Sequence, residues 1–245
     1  MTETGWPLIP REVLPAPVEA AKRPVLPRPV PPHDAGRQLP FFGAETTEPS
    51  PADLAGLLAG PGRLGRMGGT ARVSVLVSGA WRVHVLVAEL VARGLVAHWR
   101  PADPEGVRGD DRDETPELSA PEDERPGTPE PRFEVLTAYS RRLNGLAEAW
   151  PRAAAQLFLS GPRLRLWVAA AGDPVPGGYA LGLDPAKDVT EIDGALVRAG
   201  LAGRLSDDGR RYSIMGRRRV TRLAELVGER PLAAPAQLWP GGASA

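Results

Sequence analysis

The chain has 245 residues, 42% of them hydrophobic, no cysteine and a formal net charge of zero. The lack of cysteine excludes disulfides and thiolate metal sites. No apolar run approaches the roughly 20 residues of a membrane span and no basic-then-apolar leader opens the chain, so a cytoplasmic protein with no membrane role is expected.

Taken in chain order, residues 1–50 are rich in Pro, Ala, Glu and Arg without helical or strand periodicity and are expected to form a disordered tail. The run Pro24 to Pro32 within it suits a polyproline II helix and a protein partner. A first unit follows over 51–150. Ala52 to Gly60 reads as a short helix, and Ala71 to Ser78 as a strand in which Val73, Val75 and Val77 alternate with Arg72, Ser74 and Leu76. Ser78 is placed to cap a helix from Trp81 to Ala92, which Gly94 stops. Val96 to Arg100 and Arg132 to Ala138 read as strands, and Tyr139 to Trp150 as the closing helix. Between those strands, residues 101–131 form a Pro/Asp/Glu/Gly insert expected to be disordered.

A second unit spans 151–230. Its first helix is expected from about Arg152–Ala155 through Ser160, followed by a hairpin of Leu164 to Ala171 with Gly178 to Asp184. A helix from Val189 to Ala199 has Asp188 as cap and Glu191 three residues on. Gly203 to Ser206 and Arg210 to Met215 form a hairpin across Asp207-Asp208-Gly209, and Arg217 to Val227 closes the unit. The last residues, 231–245, are read as a flexible tail.

The two units echo each other. Ser140 to Glu148 lies over Arg217 to Glu225 without a gap, Glu89 to Leu95 answers Gly194 to Leu201, and Leu57 to Leu64 answers Phe158 to Leu164. Duplication predicts a monomer with an internal pseudo-two-fold axis. Strand alternation leaves one face of each sheet apolar, for the helices, and the other rich in Arg: Leu164, Leu166 and Val168 oppose Arg163, Arg165 and Trp167, Tyr212 and Ile214 oppose Arg211, Ser213 and Met215, and Trp99 opposes His98 and Arg100.

Charge is distributed to match. The insert 101–131 holds 11 acidic and 3 basic residues, whereas 51–100 and 132–245 together hold 22 basic and 13 acidic. A basic body points to a polyanion, and an acidic loop would compete for the same surface.

Helix-strand-strand-helix-strand-strand-helix, duplicated and opened by Leu54-Ala-Gly-Leu-Leu-Ala-Gly60, resembles the LAGLIDADG homing-endonuclease fold. In the second unit Arg152 to Gly161, Gly178 to Leu183, Arg198 to Leu201, Arg211 to Arg217 and Leu223 to Gly228 resemble the LAGLIDADG-like domain of the WhiA bacterial regulators. The resemblance implies an α+β fold of tandem αββαββα units forming a saddle with the helices on one side of the sheets. It implies that the first helices of the two units cross through small residues, Ala55, Gly56, Ala59 and Gly60 against Ala155 and Ser160. It further implies duplex DNA laid against the sheets, with Arg63, Arg66, Arg72, Arg100, Arg163, Arg165, Arg204 and Arg211 as phosphate and base contacts.

The family's metal-binding acids would fall on Gly60 or Pro61 and on Gly161 or Pro162, which offer no side-chain oxygen. Asp53 and Asp173 are the nearest acids. His33, His84 and His98 are scattered, and Gly60 to Gly69 lacks the Gly-Lys-Ser/Thr ending of a phosphate loop. The expectation is a protein without catalytic residues, metal or cofactor: a non-enzymatic DNA-binding protein, for which the resemblance implies a role in transcription regulation, or alternatively a protein-interaction module using its sheet face or tail.

Overall fold

Two four-stranded antiparallel sheets carry the architecture, and each has its first, second, fourth and third strands side by side in that order. The structure, a computed structural model, describes residues 42–102, 131–154 and 156–242. The first repeat runs through a 3-10 turn (Pro51–Leu54), α1 (Ala55–Ala59), β1 (Arg63–Met67), β2 (Thr70–Ser78), α2 (Ala80–Ala92), β3 (Ala97–Pro101), β4 (Arg132–Thr137), a second turn (Arg141–Leu143) and α3 (Asn144–Ala149). The second runs through α4 (Gly161–Ala171), β5 (Gly172–Val175), β6 (Gly178–Gly182), α5 (Val189–Arg198), β7 (Arg204–Leu205), β8 (Arg211–Met215) and α6 (Arg217–Val227). This is the duplicated α+β plan, αββαββα in each repeat, that the sequence predicts.

Local chemistry explains most boundaries. Ser50 and Asp53 form a capping box in front of α1, and Asp188 accepts from Thr190 N–H at the start of α5. The Asp207-Asp208-Gly209 turn is held by Ser206 Oγ and Asp208, with Gly209 at φ 67°. At α2 the expected Ser78 cap is replaced by Gly79, which makes no side-chain cap bond. Strand β1 lies in the glycine-rich run; Leu64 faces the core while Gly65 gives Arg72 room across the ladder.

The largest departure from the sequence reading is Leu164 to Ala171. This stretch is helix α4, not a strand, and the strand before the hairpin turn is Gly172–Val175. Leu164, Trp167, Val168 and Ala171 also follow the i, i+3, i+4, i+7 spacing of a helix, and Pro162 stands in its first turn. Because α4 is packed by α1, α2, α6 and strands of both sheets, nearly its whole circumference is buried and no polar stripe marks its period.

The core is centred on the α1–α4 crossing, where Leu54, Leu58, Leu164, Leu166, Trp167 and Val168 are fully buried. A polar chain is threaded through the same helices. Asp53 Oδ2 pairs with Arg93 Nε at 3.2 Å, Arg93 Nη1 with Glu89 Oε2 at 2.7 Å, and Glu89 Oε1 with Arg165 Nε at 2.6 Å. Arg165 Nη1 then donates to the carbonyls of Val227 and Glu229. Charges this deep are tolerable only because each has several partners.

Both ends of the described chain pack onto the fold, which corrects the expectation of loose tails at 42–50 and beyond 231. Phe42 meets Phe158 edge-on with ring centroids 5.0 Å apart, and its carbonyl accepts from Gly161 N–H. Trp239 is buried against Arg165, and Leu238 accepts from Tyr179 Oη at 2.8 Å. Residues 1–41, most of the acidic insert (103–130), Ala155 and 243–245 lie outside the described residues.

Candidate nucleic-acid interface

Strand register decides which side chains stand on the faces away from the helices. In the first sheet Val73, Val75, Val77 and Val135 are buried toward the helices, so the partners of the alternate positions share the open face. Arg63 pairs across from Ser74, Gly65 from Arg72, and Glu134 from both Leu76 and Arg100. In the second sheet Tyr179, Leu181, Tyr212 and Ile214 are buried, which leaves Asp173, Ala180, Ser213 and Arg204 in one row of the open face and Arg211 opposite Gly182 in another.

Five expected contact residues, Arg63, Arg72, Arg100, Arg204 and Arg211, therefore stand on open sheet faces. Their charges are not equally available. Arg100 forms an ion pair with Glu134 at 2.5 Å, and Arg72 stacks over Tyr139 with its guanidinium carbon 4.8 Å from the ring centroid. Arg63 is only loosely associated with Asp184, at 3.8 Å. Arg132, opposite Ser78, also falls on this side, and its strand alternation was sufficient to reveal it.

The other three expected contacts are placed elsewhere. Arg66 is in register with Ala71, on the helix side, and its guanidinium reaches the carbonyls of Ala147 and Trp150, tying β1 to α3. Arg163 and Arg165 are on α4, not on a sheet: Arg163 donates to Phe158 C=O at 2.7 Å, and Arg165 belongs to the buried ion chain. Reading α4 as a strand had assigned them to a face that does not contain them.

Gly56 and Gly60 lie in the helix crossing, against partners other than Ala155 and Ser160. A Cβ on Gly56 would lie 1.9 Å from the Arg163 carbonyl oxygen, and one on Gly60 would lie 2.3 Å from Trp167 Nε1. Ala55 and Ala59 are buried beside them. The facing helix is α4, so Ser160 sits at its N-cap rather than within the contact, and Ala155 lies outside the described residues.

Between the two sheets lies a cleft of about 490 Å³ whose lining includes Ser78, Trp81, Arg82, Asp173, Arg210 and Arg211. The end of α4 opens toward this region, and the end of each crossing helix receives a cation from the other repeat. Arg82 donates to the carbonyls of Val168 and Ala169 at 3.3 Å and of Gly172 at 2.9 Å, and pairs with Asp173 at 2.6 Å. Lys187 Nζ donates to the carbonyls of Leu58 and Gly62, each at 2.7 Å, and of Gly60. The carbonyl end of a helix is negative, so a cation there is favourable. Burial pulls the Lys187 ammonium down to about 8, with Asp184 opposing and Arg63 adding to the shift.

This donor set does not fit a divalent ion: Asp173 at the α4 end is already paired with Arg82, and a lysine occupies the α1 end. Among the described residues no group of three or more His, Asp or Glu side chains is placed to hold a metal.

No family model matches the chain, and no curated protein does. Solved structures do. The homing endonuclease I-WcaI bound to its DNA recognition sequence aligns over 76% of this chain and 84% of its own, at 9% identity and a TM-score of 0.48. I-DmoI in complex with DNA and Mn aligns over 74% and 97%, at 14% identity and 0.40. Mesophilic variants of I-DmoI align over 74% and 96%, at 15% and 0.38. These likenesses are too distant to transfer any residue's role.

They do correct one expectation. The reading of this chain as a non-enzyme is withdrawn, because the proteins it is similar to are endonucleases. Its premise also fails in the second repeat: Gly161 and Pro162 open α4 instead of ending it, and the residue two places beyond the end of that helix is Asp173. No helix among the described residues is long and apolar enough to cross a membrane.

Proposed function

We propose that this chain binds duplex DNA through the open faces of its two sheets. The observation that supports this most directly is the convergence of Arg63, Arg72, Arg100, Arg204 and Arg211, drawn from both repeats, onto faces that carry no helix. Arg132 and Arg210 extend the same side, and the cleft between the sheets is lined by Arg210 and Arg211. A guanidinium presents a planar fork to phosphate or to the edge of guanine, so a surface of this composition suits a nucleic acid better than a neutral ligand. The excess of nine basic residues outside the tail and insert supplies the long-range attraction.

Duplication supports the monomer as the binding unit, since each repeat supplies one sheet and the pair spans both halves of a site. A role in regulating transcription rests on the resemblance of the second repeat to the WhiA domain and on no side chain of the interface.

The test is a salt titration of duplex binding by the full chain. Affinity should fall steeply with salt, and the variant Arg204→Ala/Arg211→Ala should lower the logarithmic slope by about 2, at roughly 0.9 per phosphate contact. Absence of binding at low salt would remove DNA as the partner and leave the face to a protein. The same titration with Mg²⁺ and gel analysis of the duplex reads cleavage directly.

A further inference from the structure

The first turn of α6 carries Arg217, Arg218 and Arg219 in succession, all exposed. A helix start is the positive end of the peptide dipole, where acidic residues and polar caps are favoured and cations are not. Here the turn contains no acid, and its N-cap is Gly216, at φ 93° and with no side chain to offer. Among the described residues neither Arg217 nor Arg218 makes an ion pair, and Arg219 only reaches the Met215 carbonyl at 3.3 Å.

The first repeat shows what this position does when it is built for stability. There Ser140 caps the equivalent turn by accepting from Arg142 N–H, and Arg142 is spent on the Gly94 carbonyl at 2.7 Å. The second repeat has lost the cap and added a cation. Three guanidinium groups without an acidic partner at the positive end of a helix are unfavourable in the isolated fold, and a polyanion beside them relieves that cost.

We infer that Arg217, Arg218 and Arg219 form a second phosphate-contacting surface, outside the sheet face, that grips the backbone of the same duplex. The inference rests on the DNA-binding reading for its partner. β8 leads from Arg211 on the open face to this turn, six residues later, about 20 Å of chain at roughly 3.3 Å per residue. That distance corresponds to about six nucleotides along one strand at 3.4 Å each. The turn lies beside the β5–β6 hairpin, since Gly216 N–H donates to Gly177 C=O at 2.9 Å. It therefore marks one end of the second sheet, opposite the end that carries Arg211.

The experiment compares the full chain with Arg217→Gln/Arg218→Gln, with Arg217→Lys/Arg218→Lys and with the sheet variant Arg204→Gln/Arg211→Gln, each titrated with a long mixed-sequence duplex across a salt series. The Gln variant should lower the logarithmic salt slope by about 2, and the Lys variant, which keeps the charge, should hold the wild-type slope. A wild-type slope in the Gln variant overturns the inference, as does an equal loss in the Lys variant, which would mark a structural rather than an electrostatic role. If only the sheet variant loses affinity, the α6 surface falls and the sheet reading stands; if only the α6 variant does, the reverse holds. Failure of the wild-type chain to bind duplex sinks both.

Discussion

Lys187 Nζ lies 2.7 Å from the carbonyl oxygen of Leu58, so a cation from the second repeat stands on the C-terminal end of the first repeat's crossing helix. Arg82 returns the arrangement, reaching from α2 of the first repeat to the last carbonyls of α4 in the second. The two contacts lock the repeats to each other, and the one made by Arg82 lies in the lining of the cleft. Lys187→Met should cost about 1–3 kcal/mol, the range for losing hydrogen bonds from a charged donor. Arg82→Met should cost about 2–3 kcal/mol through the lost bonds to three carbonyls, and little more through Asp173, which is 56% exposed and regains water. Urea unfolding of the two variants checks both, and unchanged midpoints would mean that the repeats are held by apolar packing alone.

The crossing of α1 and α4 leaves no space for a methyl group at Gly56. Its Cβ would meet the carbonyl oxygen, carbon and Cα of Arg163 at 1.9, 2.6 and 2.9 Å, all backbone atoms that cannot turn aside. Gly56→Ala should therefore destabilise by about 3 kcal/mol or prevent folding, the severe end of overpacking. Gly145, inside α3, has nothing within 4 Å of the same added atom. Gly145→Ala should stabilise by about 0.5–1 kcal/mol through helix propensity, and a pair of denaturation curves separates the two outcomes.

How much of this was legible in the sequence depended on whether a segment faces water on one side. α5, the β7–β8 hairpin and α6 have clear polar and apolar sides, and Asp188 and Asp207-Asp208-Gly209 mark their edges chemically; all were placed within a residue or two. α4 has no wet side, so its Leu-Arg-Leu-Trp-Val run fitted a period of two as readily as 3.6. Its arginines gave no warning, because Arg165 is buried by pairing with Glu89, 76 residues earlier in the chain. That error moved two arginines onto the wrong surface and placed the helix end, with its missing acid, eleven residues too early. The reciprocal cations were not legible at all, since Arg82 and Lys187 find their acceptors only in the other repeat. Trp239 likewise looked like tail composition, and only the pocket beside Gly228 and Arg165 makes it core.

Glu89 is the one acid shared by Arg93 and Arg165, and so it joins α2 to α4 and, through Arg165, to the end of α6. Arg93 is almost wholly enclosed, its side chain 1% exposed. Replacing Glu89 by Gln removes the acid paired with the part-buried Arg165 and leaves the enclosed Arg93 with Asp53 alone, and should cost about 3 kcal/mol. The pair between Glu134 and Arg100 has similar geometry, but Arg100 is 69% exposed and water screens the charge. Glu134→Gln should cost less than about 1 kcal/mol. Equal losses from the two substitutions would show that burial does not govern the strength of these pairs.

Two of the chain's three tyrosines tie its alkaline stability to named contacts. Tyr212 donates to Asp193 Oδ1 at 2.5 Å and accepts from Gly203 N–H, and its ionisation is pushed up to about 12, chiefly by burial and then by that carboxylate. Burial also raises Tyr179, against the opposing charge of Arg82. A phenol whose folded pKa exceeds its unfolded value near 10 favours the native state fully below pH 10 and loses that contribution as pH rises through about 12. Lys187 acts in the other sense. Its folded pKa of about 8 lies below the unfolded lysine value, so the unfolded chain binds the extra proton between about pH 8 and 10.5 and stability rises across that window. Urea midpoints should therefore climb from pH 8 toward 10 and then fall. In Lys187→Met the climb should vanish while the fall remains, and in Tyr212→Phe the fall should become shallower while the climb remains. A wild-type profile that is flat from pH 8 to 12 would show that neither group titrates differently in the folded protein.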